Sequence, residues 1–352
     1  MNRIDSNPKQ VFPGIEGGFY DLYDRVTGST SSNDRHRNKP PGFNESSHEK
    51  TLVFNRPSAV AQGPQRAFAG QAQHGRRVAM NASMDWWDRG GVHFIIDRLA
   101  KGLPVTALGV RSARAPEIAR LAKASGHDVI WVDMEHSALP VDVASQICAC
   151  ACDLGVVPFV RVPEREYGVI GRLLDGGAMG IIAPRIETVE QAMAVVEACR
   201  FPPLGHRSAV AIVPQLQYRR MPPAALYDAA NRATLVKVLI ESPLGIRNLE
   251  AIAALPGVDI VAIGTNDLSA ELGVPGEFMH ARVREAHDHA LDVCQRAGKP
   301  LVIGGISDAR YSAQLIRRGA APFLMTGIDT DLLLAAAHER VRQALASLEI
   351  ST

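Results

Sequence analysis

The chain has 352 residues and a mass of 37.9 kDa, which is enough for one large domain with an extension. Apolar residues make up 46% of it and charged residues 21%, so a coiled coil, a collagen-like repeat and disorder of the whole chain are excluded. The 38 basic and 37 acidic side chains leave a net charge of +1. This balance gives no electrostatic reason to expect a nucleic acid or an anionic membrane as a partner.

The cysteines and the apolar runs bear on the compartment of the protein. Five cysteines lie in apolar segments, an odd number that favours buried thiols in a reducing compartment over a disulfide framework. The segment "CACAC" (148–152) leaves a metal site open, but alternate cysteines lack the usual ligand spacing, so helix packing is favoured. No apolar run reaches the roughly 18 to 20 residues that span a bilayer, and the first residues lack the apolar centre of a signal peptide. We therefore expect a cytoplasmic protein without a membrane segment.

Residues 1–80 and 81–352 differ in composition. The first segment is rich in Asn, Ser, Gly and Pro and shows neither a helical nor a strand period, which predicts a low-complexity, disordered extension. The alternative is a tail that recruits a partner through the aromatic segment "GFYDLYDRV". In the second segment, short β-branched runs alternate with amphipathic stretches, and we assign this part to one folded domain.

Eight β-branched runs in the second segment predict eight strands. They are "VTALGV" from Val105, "VIWV" from Val129, "VVPFV" from Val156, "GIIA" from Gly180, "KVLI" from Lys237, "IVAI" from Ile260, "PLVI" from Pro300 and "PFLM" from Pro322. Most are separated by the length of one helix, such as the helix that we expect to begin after the capping residue Thr188. This pattern predicts a closed (β/α)8 barrel, a TIM barrel. An open doubly wound sheet is the alternative, but no phosphate-binding glycine pattern follows the first strand.

The residues directly after the predicted strands are strongly polar, and in a β/α barrel these positions form the catalytic face. They are Asp133, Glu135 and His136 after the second strand, Arg161 after the third, Arg185 after the fourth, Glu241 after the fifth and Asp267 after the sixth. Glu241 and Asp267 follow neighbouring strands, and two carboxylates so close repel each other unless a cation or a proton lies between them. We therefore predict a divalent metal site at Glu241 and Asp267, for Mg²⁺, Mn²⁺ or Co²⁺. The alternative is an arginine partner for Glu241 and a helix cap at Asp267.

Three further predictions concern the groups around this metal site. Arg161 is placed to bind a substrate carboxylate or an enolate oxygen with its planar guanidinium, unless it only forms a structural salt bridge. Asp133 precedes His136 by three residues and is predicted to orient the imidazole for proton transfer; a solvated histidine is the alternative. Backbone N–H groups of the "GTND" turn are predicted to hold a substrate carboxylate at the start of the next helix. The predicted substrate-binding residues of that turn are Thr265, Asn266 and Asp267.

The positions of the lysines separate two kinds of aldol chemistry. Aldol cleavage without a metal needs a lysine in the barrel mouth that forms a Schiff base. The predicted strands put Lys237 and Lys299 at strand beginnings, while Lys101 and Lys123 lie outside the strands. All four are therefore predicted to point away from the mouth, which favours metal-assisted chemistry.

Five segments of the chain occur in a characteristic order over roughly residues 94–345. They are "WVDMEHS", "PFVRVPEREYGVIGRLLDGGAMGIIAPRIETVEQA", "FPPLGHRS", "LIESPLGIRNLEAIAALPGVDIVAIGTNDLSAELG" and "GIDTDLLLAAA". Together they resemble the HpcH/HpaI aldolase and citrate lyase family of the pyruvate and phosphoenolpyruvate barrel superfamily. The resemblance implies that Glu241 and Asp267 bind the metal, that Arg161 contacts pyruvate or its enolate, and that the loop of Asp133 and His136 supports proton transfer. It also implies a homohexamer with helices exchanged between neighbouring barrels.

These observations predict a class II, metal-dependent pyruvate aldolase. Its reaction is the reversible cleavage of a 4-hydroxy-2-oxo acid to pyruvate and an aldehyde, two small molecules. A lyase for citramalyl or malyl thioesters is one alternative, although residues 200–232 show no clear basic and apolar patch for coenzyme A. A non-catalytic barrel that binds a partner is the other. Leu239 stands where aldolases of the family often have glutamine, which leaves the identity of the aldehyde open.

Overall fold

The computed structural model describes residues 92–349, so the predicted extension of residues 1–80 and the beginning of the predicted domain lie outside the described residues. The described part contains eight strands in the predicted order. They are β1 (Val105–Val110), β2 (Val129–Asp133), β3 (Val157–Arg161), β4 (Gly180–Ala183), β5 (Leu235–Ile240), β6 (Ile260–Gly264), β7 (Leu301–Gly304) and β8 (Phe323–Ile328).

The strands form one parallel sheet that curls into a barrel. The hydrogen-bonded order is β7-β6-β5-β4-β3-β2-β1-β8, so the last strand returns to pair with the first. Between the ends of this ladder, the backbone N–H of Ala321 donates to the carbonyl oxygen of Leu301 at 2.7 Å. The barrel is therefore nearly closed, and the (β/α)8 prediction is confirmed. A doubly wound sheet is excluded because its strand order reverses at a switch point.

Helices connect the strands and form the outer layer. They are α1 (His93–Ala100), α2 (Glu117–Ala124), α3 (Val141–Leu154), α4 (Ile170–Asp175), α5 (Val189–Cys199), α6 (Pro223–Arg232), α7 (Pro243–Arg247), α8 (Leu249–Ala254), α9 (Thr265–Glu271), α10 (Ala281–Ala297), α11 (Ala309–Arg317) and α12 (Asp329–Glu349). At the start of α5 the predicted cap is present, since Thr188 and Gln191 form a reciprocal capping box. On α3, Cys148 and Cys152 are buried in the core, which confirms their packing role. Among the described helices, none is long and apolar enough to cross a membrane.

Side chains of the strands alternate between two cores, because successive residues point to opposite faces of a sheet. On β3, Val160 packs into the outer core between sheet and helices, whereas Phe159 packs inside the barrel with Ile182 and Ala262. Arg161 lies two positions after Phe159 and therefore also points inward, at the end of the strand. The alternation thus directs the last inward residues of the strands into the mouth of the barrel.

β5 begins two residues earlier than the sequence pattern predicts, and this changes the place of Lys237. The strand includes Leu235 and Val236, so Lys237 is its third residue and not its first. Leu235 packs inside the barrel and Val236 outside it, so Lys237 points inward. The prediction that every lysine faces away from the mouth is wrong for Lys237, which lines the same cavity as Glu241.

The last helix, α12, is anchored at its beginning and exposed along its length. The Asp329 carboxylate accepts hydrogen bonds from the backbone N–H groups of residues 111–113, at 2.9, 3.0 and 2.7 Å. Farther along the helix, Leu333 is 72% exposed and Leu348 is 67% exposed. A single copy of the described chain therefore leaves an apolar helix surface in contact with solvent.

Candidate active site

A cavity of about 430 Å³ opens at the carboxyl ends of the strands, a volume typical of small-molecule sites. The predicted site residues in its wall are His136, Arg161, Glu241, Thr265, Asn266 and Asp267. The predicted residue Asp133 is outside this wall; it is 1% exposed and contacts Arg161. The cavity also continues into the barrel, where its wall includes Trp131, Lys237, Ala262, Val302 and Phe323.

The Asp133 carboxylate holds two arginines in place. It accepts a bidentate pair of hydrogen bonds from Arg161, Nε to Oδ1 at 2.9 Å and Nη2 to Oδ2 at 2.6 Å. Oδ2 also accepts from Nε of Arg111 at 2.6 Å. Burial raises the pKa of Asp133, but the hydrogen bonds and charge of Arg161, with the hydrogen bond from Arg111, outweigh it and lower the pKa below its usual value. Asp133 is therefore an anion that orients arginine side chains.

The predicted contact between the Asp133 carboxylate and the His136 imidazole is not formed. Oδ1 of Asp133 accepts instead from the backbone N–H of His136 at 3.3 Å. The imidazole is 54% exposed, and its Nε2 lies 3.9 Å from Oε2 of Glu135. The prediction that Asp133 orients the His136 imidazole is wrong, because Arg111 and Arg161 occupy both oxygens of the Asp133 carboxylate. Glu135 is thus the acid beside the imidazole.

Arg161 is buried and yet keeps N–H groups for a ligand. Its side chain is 7% exposed, and the guanidinium lies over the ring of Trp131, 4.8 Å from the ring centre. Nη1 lies 2.9 Å from Oε2 of Glu135. A guanidinium has five N–H groups, so two remain after the two bonds to Asp133 and the contact with Glu135. These two can donate to an oxygen atom in the cavity.

Glu241 has a buried carboxylate that accepts one hydrogen bond from the backbone. The residue is 4% exposed, and Oε2 accepts a hydrogen bond from the backbone N–H of Arg185 at 3.0 Å. Arg185 has a left-handed φ of 49°, which is uncommon outside glycine. Burial raises the pKa of Glu241 to about 7, with contributions from the charges of Asp267 and Glu135. A cation at the open oxygen Oε1 would stabilise this carboxylate.

The helix after β6 supplies the second acid, and the last residue of β6 leaves space for the first. Asp267 lies in the first turn of α9, where no side chain caps the helix, and its carboxylate has no hydrogen bond or ion pair within the described residues. The predicted alternatives for the two acids, an arginine partner and a helix cap, are therefore not observed. At the end of β6, a Cβ on Gly264 would lie 2.3 Å from Oε1 of Glu241. Glycine at this position is thus what allows the Glu241 carboxylate to lie where it does.

A buried chain of hydrogen bonds behind the turn was not predicted from the sequence. His287 on α10 shares a hydrogen bond with Oγ1 of Thr265 through Nε2 (3.1 Å) and with the hydroxyl of Tyr311 through Nδ1 (3.0 Å). Thr265 and His287 are fully buried, and Tyr311 is 5% exposed. The apolar period of α10, from Val283 to Ala290, indicates that position 287 faces the core, but it does not reveal partners on other elements.

A parallel β/α barrel with a polar cavity at the carboxyl ends of its strands is the architecture of a barrel enzyme. Residues 111–336 match the family model described as HpcH/HpaI aldolase/citrate lyase. The chain belongs to this family.

Named relatives and a solved structure agree with this assignment. The protein named 4-hydroxy-4-methyl-2-oxoglutarate aldolase tasA, from Hapsidospora irregularis, is 36% identical over 259 residues, which are 73% of this chain and 96% of the relative. Its namesake cghB, from Chaetomium globosum, is 36% identical over 246 residues, 69% of this chain and 91% of the relative. The crystal structure of HpcH/HpaI aldolase from Desulfitobacterium hafniense has a TM-score of 0.66 and 26% identity, and covers 71% of this chain and 96% of its own. The chain is a carbon–carbon lyase of the aldolase type.

Proposed function

We propose that the protein cleaves a 4-hydroxy-2-oxo acid reversibly to pyruvate and an aldehyde or other carbonyl compound, with a divalent cation held by Glu241 and Asp267. The observation that carries this proposal is the pair of carboxylates after β5 and β6, which share one cavity and have oxygen atoms without hydrogen bonds. Carboxylate oxygens suit Mg²⁺, Mn²⁺ or Co²⁺, and a site with two protein ligands has room for a chelating substrate. The two relatives are named for an acid of this class.

The side chains around the carboxylates supply the rest of the chemistry. Cleavage removes the proton of the 4-hydroxyl group, breaks the bond between C3 and C4, and leaves the electron pair on pyruvate as an enolate, which is then protonated. A bound divalent cation would place positive charge beside that enolate. Arg161, held by Asp133 and Glu135, donates its two remaining N–H groups to the 2-oxo acid, and backbone N–H groups of residues 265–267 contact its carboxylate. His136, in the cavity wall, takes the hydroxyl proton.

Pyruvate release from a panel of 4-hydroxy-2-oxo acids tests this function. We expect turnover that a chelator abolishes and that Mg²⁺, Mn²⁺ or Co²⁺ restores. Glu241→Gln and Asp267→Asn keep the shape of the side chain but remove its charge, so each should lower kcat/KM by about 100-fold or more and weaken metal binding in calorimetry. Glu250→Gln, at an exposed position of α8, is the control. Near-normal turnover and metal affinity in Glu241→Gln would contradict the proposal.

We also propose a homohexamer in which α12 packs against a neighbouring barrel. The exposed leucines of α12 support this assembly, since apolar patches of this kind mark interaction surfaces. A cytoplasmic location is supported by the five cysteines, all of which are free thiols.

A further inference from the structure

A lysine lies deep in the cavity, below the carboxylates. Lys237 is 7% exposed and is paired in the sheet with Ile182 of β4 and Ile260 of β6. Its Nζ lies 4.4 Å from the centre of the Phe323 ring. The cavity wall around it is apolar and includes Ile182 and Ala262. Lys237 therefore places one polar group in an otherwise apolar part of the barrel.

Within residues 92–349, no acid is paired with this ammonium group. Among the described residues, no hydrogen bond or ion pair involves Nζ of Lys237, and the neighbouring charge that acts on it is the cation of Arg161. Burial, with the charge of Arg161, lowers the pKa of Lys237 to about 8, so the ammonium form still prevails at pH 7. A buried charge without a counter-ion is strongly unfavourable, and a contact with one aromatic ring offsets only part of that free energy. An anion that enters the cavity would provide the missing partner.

We propose that Lys237 binds the second carboxylate of a dicarboxylate substrate and thereby selects 4-hydroxy-2-oxo acids that carry a carboxylate at each end. This inference rests on the proposed function, because it requires the 2-oxo end of the substrate to lie at Glu241 and Asp267. The remote end of the acid then points into the barrel, toward the ammonium group.

The dimensions and the polarity of the cavity fit such a substrate. Glu241 follows β5 directly and is four residues after Lys237, a separation of roughly 13 Å for extended backbone. We expect the lysine side chain and an acid of about five carbons together to span a separation of this order. Between the two polar ends the wall is apolar, with Leu239, Ala262 and Val302. A short carbon chain with a carboxylate at each end matches this order of polar, apolar and polar surfaces.

A Schiff base is the other chemistry open to a buried lysine. In that case the groups that stabilise an enolate should surround Nζ. Instead, the remaining N–H groups of Arg161 and the carboxylates of Glu241 and Asp267 lie at the ends of their strands, above the apolar wall that surrounds Lys237. The geometry therefore favours binding of a carboxylate over formation of an imine.

The binding test uses two unreactive acids of equal chain length. 2-Oxoglutarate ends in a carboxylate and 2-oxovalerate in a methyl group, and neither has the 4-hydroxyl group that cleavage requires. With the full chain loaded with Mg²⁺, calorimetry should show that 2-oxoglutarate binds at least ~10-fold more tightly. Lys237→Met replaces the ammonium group with an apolar side chain and should remove this preference. Lys299→Met is the control, because Nζ of Lys299 donates to the Val258 carbonyl at 2.7 Å and does not line the cavity.

Turnover separates this inference from the proposed function. For 4-hydroxy-2-oxoglutarate relative to 4-hydroxy-2-oxovalerate, Lys237→Met should lower the ratio of the two kcat/KM values by about 100-fold, with thermal melting as the check on folding. An unchanged ratio in both assays, or covalent trapping of pyruvate on Lys237 by borohydride, would overturn the inference. If neither acid is cleaved but 2-oxoglutarate binds through Lys237, the proposed function fails while the carboxylate site is supported.

Discussion

Two carboxylates of the site, Asp133 and Glu241, have neighbours of opposite charge, and their pKa values therefore shift in opposite directions. Asp133 is buried against Arg161 and Arg111, and these cations lower its pKa. Glu241 is buried beside Asp267, and burial raises its pKa to about 7. One carboxylate is thus already neutralised by fixed cations, while the other is left for a cation that binds. This difference is the basis for assigning Asp133 to positioning and Glu241 to metal binding.

Gly264 is predicted to be essential for the position of Glu241. A Cβ at this residue would lie 2.3 Å from Oε1 and 2.7 Å from Cγ of Glu241, so Gly264→Ala must displace the carboxylate. The φ of −89° at Gly264 is accessible to alanine, so the backbone itself is not strained. We expect metal affinity in calorimetry to fall at least ~10-fold with an unchanged circular dichroism spectrum. Gly171→Ala, where a Cβ meets nothing within 4 Å, is the control, and wild-type affinity in Gly264→Ala would contradict the prediction.

The sequence allowed the site residues at strand ends to be predicted, but not their partners. Glu241 and Asp267 were identifiable because the position after a buried strand is a local feature of the chain. The partner of Asp133 was not, since the competing arginines are 22 and 28 residues away. Lys237 was misplaced because the strand boundary was wrong by two residues, and two residues move a side chain by roughly 6.6 Å along a strand.

Contacts between the elements of the barrel hold the active-site turn in position. The fold itself was predictable, because the alternation of strands and helices is visible in local sequence periods. The buried connection from α9 through α10 to α11 was not, because Thr265, His287 and Tyr311 are distant along the chain. Hydrogen bonds to both ring nitrogens fix His287 as the link between these helices.

His287 is predicted to make stability depend on pH. Burial lowers its pKa to about 4, whereas the unfolded chain has an ordinary value of about 6.5. The unfolded state therefore binds the proton first, so stability is highest above about pH 6.5 and decreases as the pH falls toward 4. The decrease over this window is about 3 kcal/mol for this one group. Denaturant unfolding at about pH 7.5 and about pH 5 covers the upper part of this window, where we expect a loss of about 2 kcal/mol.

Two variants separate this effect from the titration of other groups. His287→Gln breaks the buried network and should lower stability by about 1–3 kcal/mol at neutral pH, while it makes the dependence on pH less steep. His289→Gln changes an exposed histidine of the same helix and should retain the wild-type dependence. An equally steep loss of stability in His287→Gln would show that other groups cause it.

For the whole molecule, the exposed helix α12 predicts the behaviour of the protein in solution. Leu333 and Leu345 are 72% and 57% exposed in a single chain, and the proposed hexamer would cover them. We expect light scattering to give the mass of a hexamer for the wild type and a smaller species for Leu333→Glu with Leu345→Glu, because a charge buried in an interface is strongly unfavourable. Arg340→Glu, a change of charge on the same helix, is the control. A wild-type monomer would contradict the assembly.

The partner surface of α12 in the proposed hexamer is not predictable from local sequence patterns. No local sequence pattern says which barrel covers α12, and only the resemblance to the family suggested a hexamer. The same limit applies to any surface that is completed by another copy of the chain, because its partner residues are not neighbours in sequence or in the single fold.

Since Lys237 lies on β5 and Glu241 follows directly after its last residue, the backbone of β5 sets the separation between them. A strand inside a barrel is much stiffer than a loop. In the proposed role, β5 therefore selects substrates by the length of their carbon chain. In an acid one carbon shorter, the second carboxylate would not reach the ammonium group. A longer acid would have to adopt a bent conformation against the apolar wall. Substitution of Lys237 alone would then remove the selectivity for the length of the acid, without any change in the loops of the mouth.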